Sequence, residues 1–92
     1  MTIRQDETDA MVAPGDVLDQ ELEARGITPR AAARQLGVKL SYLTGVLMGE
    51  KPITADLALA IEREFGISAT FWMNLDSTYQ LALARRKLAQ SA

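Results

Sequence analysis

The stretch that decides the fold runs from residue 28 to residue 49: Thr28-Pro29-Arg30-Ala31-Ala32-Ala33-Arg34-Gln35-Leu36-Gly37-Val38-Lys39-Leu40-Ser41-Tyr42-Leu43-Thr44-Gly45-Val46-Leu47-Met48-Gly49. Thr28-Pro29 opens a helix, with a hydroxyl at the N-cap and proline at the first helical position, where its missing N–H costs nothing. Ala32, Ala33 and Leu36 recur on one face of that short helix, and Gly37 closes it. A second apolar set, Leu40, Leu43, Val46 and Leu47, follows within a few residues and stops at Gly49. Two short helices joined by a tight turn must cross closely if the second is to lie in a DNA groove, so small residues are needed at the crossing. Ala33 and Gly37 meet that need, and Leu43 and Val46 supply the apolar inner face of the second helix. Ordinary helical hairpins with a glycine turn share one or two of these features and fewer have all four.

Outward from this core, the flanks are also helical. Pro14-Gly15-Asp16 punctuates the start of a first helix whose Val17, Leu18 and Leu22 share a face while Asp19, Glu21 and Glu23 turn to water; Gly26 ends it. Beyond the Pro52-Ile53-Thr54 turn, Thr54 caps a fourth helix with Leu57, Ala58, Ile61 and Phe65 on one face and Gly66 at its end. Ser68 is positioned to cap a fifth element. From Ala69 to about Ala89 no Gly or Pro intervenes, and Leu75, Tyr79 and Ala82 recur at helical intervals, which permits one long helix or two joined ones. Adjacent helical residues diverge by about 100°, so Phe71 and Trp72 cannot point the same way: either one packs on the fourth helix and the other reaches a partner, or both enter the core. Residues 1–13 are polar and acidic without apolar period and read as a flexible N-terminal arm; residues 14–92 read as one all-α, five-helix domain with a C-terminal helix extension.

Composition narrows the function. A chain of 92 residues makes one domain and buries only about 60–65% of its unfolded surface, which leaves room for one site. Hydrophobic residues are 48% of the chain, enough for a core, yet no apolar run approaches the roughly 20 residues of a membrane helix. A cytoplasmic location is expected. The absence of Cys and His removes disulfides, thiol nucleophiles, imidazole bases and the usual zinc ligands together; no cofactor or metal is expected. The net charge of -2 hides an asymmetry: residues 1–24 hold one basic and seven acidic side chains, whereas residues 25–92 hold nine basic and five acidic. The segment with the candidate DNA-reading unit is therefore the basic one.

Four stretches carry a resemblance: Pro14-Gly15-Asp16-Val17-Leu18; Ala33-Arg34-Gln35-Leu36-Gly37-Val38; Gly49-Glu50-Lys51-Pro52-Ile53-Thr54-Ala55-Asp56-Leu57-Ala58-Leu59; and Phe71-Trp72-Met73-Asn74-Leu75 with Tyr79 after it. Over about residues 14–86 the chain resembles the HigA-type antitoxins, the virulence-associated-protein-I-like group of phage-repressor-like helix-turn-helix proteins. The Gly-x-Lys-Pro-Ile-Thr turn and the Phe-Trp-Met-Asn-Leu segment are its most specific parts. The resemblance implies a five-helix DNA-binding fold, a homodimer on a palindromic operator, repression of its own operon, and neutralisation of an mRNA-cleaving HigB-type toxin. It also puts the base-reading positions on Lys39, Leu40, Ser41, Thr44 and Gly45.

In physical terms, a third helix from about Lys39 to Met48 would lie in the major groove. Lys39 can donate to guanine or phosphate, Ser41 and Thr44 can bond to more than one base, and Leu40 offers apolar contact to a thymine methyl. Tyr42 is placed to meet the DNA backbone, and Arg30 and Lys51 are candidates for phosphate contacts. Family members commonly carry a polar set where this chain has Lys39-Leu40-Ser41, a long polar side chain where it has Gly45, and glutamine where it has Pro29. A single short reading helix supplies little affinity, so a dimer spanning two half-sites is expected, with the fifth helix (Phe71, Trp72, Leu75, Tyr79 and Leu83) as its interface. Two alternatives stand beside the repressor: a solitary regulator, and a protein-interaction module with weakened DNA reading, for which Leu40 and Gly45 argue. An enzyme is disfavoured, because Asp56, Glu62, Glu64 and Asp76 are spread along helices with no nucleophile or base to act with.

Overall fold

The computed structural model describes residues 12–91, and these form five α-helices. In chain order they are α1 (Pro14–Arg25), α2 (Pro29–Leu36), α3 (Leu40–Leu47), α4 (Ala55–Phe65) and α5 (Ala69–Ser91). The expected all-α, five-helix architecture is the one found, and the fifth element is a single helix of 23 residues. The acidic stretch expected as an arm lies, up to Met11, outside the described residues. Among the described residues no helix is long and apolar enough to cross a membrane.

The helix ends follow the local chemistry. The Thr28 side chain accepts from Ala31 N–H at 3.1 Å and the Thr54 side chain from Leu57 N–H at 3.2 Å, each satisfying a donor that a helix start leaves without a partner. Helix α2 ends at Gly37 with φ of 73°, a left-handed conformation that favours glycine. There Val38 N–H reaches Ala33 C=O at 3.0 Å and Gly37 N–H reaches Arg34 C=O at 3.3 Å, the paired bonds of a Schellman cap. That cap makes the sharp turn into α3. Ser68 caps α5 through Thr70 N–H, as expected, and Glu62 adds a second cap from α4 by accepting from Ala69 N–H at 2.7 Å.

One core gathers Leu18 and Leu22 of α1, Ala32, Ala33 and Leu36 of α2, Leu43 and Val46 of α3, Leu57, Ala58, Ala60, Ile61 and Phe65 of α4, Ile53 of the turn, and Trp72 of α5. Apolar burial at about 25 cal/mol per Å² is what holds the five helices together. Phe71 and Trp72 diverge as expected: Trp72 is fully buried, Phe71 is 45% exposed, and their rings meet edge to face at 5.2 Å. Trp72 therefore leaves the set of expected interface residues, since its side chain is spent on the core of its own chain. At the far end of the molecule Arg25 ties α1 to α4: its guanidinium donates to the Phe65 carbonyl at 2.9 Å, lies over the Phe65 ring and pairs with Glu21.

Gly15 does more than open α1. It is buried, and a Cβ built on it would stand 2.0 Å from the carbonyl oxygen of Val46 and 3.0 Å from that of Leu47. The backbone of α1 thus rests directly on the C-terminal end of α3. Because the obstacle is backbone, it cannot swing aside. G15A is expected to cost about 2–3 kcal/mol or more of stability, read as a fall in the urea midpoint with an unchanged slope; a loss under about 0.5 kcal/mol would show that the two helices can part cheaply.

Candidate nucleic-acid interface

Helix α3 divides cleanly into two sides. Leu43 and Val46 are fully buried against the core, while Ser41 is exposed, Thr44 half-buried, and Met48, just past the helix end, 65% exposed. At 3.6 residues per turn, Ser41, Thr44, Gly45 and Met48 share the outer side, on which Gly45 is itself buried. Lys39 is the extended N-cap residue; its carbonyl accepts from Tyr42 and Leu43 N–H at 3.1 Å each, and its side chain is exposed. Arg30 is exposed in the first turn of α2. The structure thus brings Lys39, Ser41, Thr44, Gly45 and Lys51 onto or beside one short helix.

Three of the expected contact residues have internal partners. Leu40 is half-buried and packs on the core cluster. The Tyr42 hydroxyl donates to the Pro52 carbonyl at 2.9 Å and accepts from Thr54 N–H at 3.3 Å, so this side chain latches α3 to the turn that leads into α4. Gly45 is covered by the stem of Lys51, whose Cγ and Cδ lie 3.0 Å from where a glycine Cβ would be. Met48, on the outer side, was not among the residues expected to touch DNA; its place one turn beyond Gly45 was the signal available for it.

The turn between α3 and α4 is fixed from three directions. Gly49, with φ of 78°, reverses the chain. The Gly45 carbonyl accepts from both Glu50 N–H at 2.8 Å and Lys51 N–H at 3.2 Å. From α5, the buried Asp76 carboxylate accepts from Ile53 N–H at 3.3 Å. Asp76 was expected on a polar helix face; it instead satisfies a buried backbone donor in the turn that carries Lys51. An acidic residue on a helix signals only a solvated position, so sequence reasoning had no cue for this bond.

Two short helices joined by the tight turn at Gly37, the second with Leu43 and Val46 in the core and Ser41 exposed, have the form of a helix-turn-helix. The helix-turn-helix family model matches residues 18–72, spanning α2, α3 and α4 whole. The chain is 34% identical over 76 residues to virulence-associated protein I of Dichelobacter nodosus, covering 82% of this chain and 70% of that protein. Among solved structures, it superposes on the Pseudomonas aeruginosa antitoxin HigA with the higBA promoter at a TM-score of 0.82 and 36% identity, over 88% of this chain and 89% of that one. An addiction module antidote protein of the HigA family from Coxiella burnetii gives a TM-score of 0.81 at 30% identity, with the same coverage. The chain belongs to the HigA family of helix-turn-helix antitoxins.

Removing the Asp76 carboxylate tests how the turn is held. D76A leaves Ile53 N–H buried without a partner and is expected to cost about 1–3 kcal/mol and to abolish hydrogen-exchange protection at that amide, whereas D76N keeps an acceptor and most of the protection. Equal exchange at Ile53 in both variants would show that the bond does not fix the turn.

Proposed function

We propose that this protein is a non-enzymatic DNA-binding antitoxin of a HigBA-like operon. As a cytoplasmic homodimer it inserts α3 of each protomer into the major groove of a palindromic operator, represses its own operon, and neutralises an mRNA-cleaving HigB-type toxin. The observation that carries the DNA half is the exposed polar side of α3, with Lys39, Ser41 and Thr44 on a helix whose inner side is locked in the core. A similar fold at 36% identity sits with the higBA promoter in the Pseudomonas aeruginosa protein, which supports the same use here. Arg30 supplies a phosphate contact and holds register. The dimer forms through α5, with Phe71, Leu75, Tyr79 and Leu83 available at its exposed and half-buried positions.

A second reading, a protein-interaction module or solitary regulator with reduced base reading, has one observation in its favour. Leu40 leans on the core and Gly45 has no side chain, so two of the family's reading positions supply little.

Fluorescence anisotropy with the protein's own upstream DNA and a scrambled duplex, over a salt series, separates the readings. Sequence-selective binding with a slope of a few released counterions is expected. S41A is expected to lose about tenfold for the upstream DNA alone, and R30A to weaken both duplexes equally and lower the slope by about one. Equal weak binding to both duplexes, together with stable co-purification with the neighbouring gene's product, would favour the second reading.

A further inference from the structure

We propose that Gly45 and Lys51 form one base-reading unit. The glycine is the seat on which the Lys51 stem lies, and the seat delivers the ammonium to the groove side of α3, where it donates to the acceptor edge of a guanine rather than to the phosphate backbone. This rests on the operator-binding reading above and assigns a specificity-determining role to a residue that its loop position alone would make a phosphate contact.

The stem of Lys51 lies against the bare backbone of Gly45. Cγ and Cδ of Lys51 lie 3.0 Å, and Cε 3.3 Å, from the Cβ that any other residue at position 45 would carry. Position 45, itself buried, is on the outer side of α3, one turn after Ser41 and one before Met48, so the stem of Lys51 runs along the side on which Ser41 is exposed. The backbone of Lys51 is fixed to the same residue, since the Gly45 carbonyl accepts from Glu50 N–H and Lys51 N–H. Both the backbone and the stem of the lysine are therefore held against α3. Among the described residues the ion pairs join Arg25 to Glu21 and Arg63 to Glu64 and leave Lys51 out. Phosphates line the flanks of a groove-bound helix, whereas its outer side meets base edges, where guanine offers N7 and O6 as adjacent acceptors. A lysine on a free loop reaches whichever phosphate is near; one laid along the reading helix meets one base position in each half-site.

The test is selection of bound duplexes from a randomised pool by the full-length protein, followed by affinities for the selected site and its single-base variants. Wild type is expected to prefer guanine at one position per half-site by about tenfold. K51A is expected to lose that preference while keeping the rest of the site. G45A, which favours the helix and so folds, pushes the stem aside and is expected to weaken the same preference, and the double variant to be no worse than K51A. K51A weakening all duplexes equally, with a salt slope lower by about one, would make Lys51 a phosphate contact and overturn the proposal. G45A keeping the guanine preference undiminished would overturn the seat. A wild type that enriches no sequence would instead remove the operator reading itself.

Discussion

The close approach of α1 to the end of α3 is the constraint on which the rest depends. Gly15 brings backbone against backbone at Val46 and Leu47, a distance that any Cβ would forbid. With α1 pressed onto that end, Leu43 and Val46 are held in the core and the opposite side of α3 must face outward. The outward side of α3 is thus a consequence of how the back of the helix is packed.

The other half of the constraint acts at the turn after α3. A helix of eight residues is too short to be stable by itself, and its end is closed by Gly49 in the left-handed conformation, with Glu50 N–H on the Gly45 carbonyl and Gly49 N–H on the Val46 carbonyl, another Schellman cap. Longer-range bonds fix its geometry further: the Tyr42 hydroxyl to Pro52 and Thr54, and Asp76 of α5 to Ile53. Groups held before DNA arrives lose little entropy on binding, which is the physical advantage of preorganisation. Through Asp76, the turn beside the reading helix is also joined to α5, the helix proposed to form the dimer.

Much of this was legible in the sequence because it depends on local chemistry. Thr28-Pro29, Gly37, Thr54 and Gly66 mark helix ends through capping and backbone preference, and the apolar spacing of Leu57, Ala58, Ile61 and Phe65 gives the buried side of α4 directly. The divergence of Phe71 and Trp72 was legible too, though which of them entered the core depended on how α5 lies. The residues that fix the site were not legible for one shared reason: each acts across the fold. Gly15 reads as punctuation and is a contact; Asp76 reads as a solvated acid and is a buried acceptor; Tyr42 reads as a backbone contact and is a latch. Nothing in the local sequence shows that the bare backbone of Gly45 is covered by a lysine six residues on.

The central claim is that the outer side of α3, held from behind, is the surface that meets DNA. An NMR titration of the isotope-labelled protein with its own upstream duplex tests it most directly. The account predicts that the largest amide shifts fall on Arg30, on residues 39–45, and on residues 48–51, with the buried amides of α4 unmoved. Shifts confined to α5, or none at a protein concentration where the duplex is in excess, would contradict it.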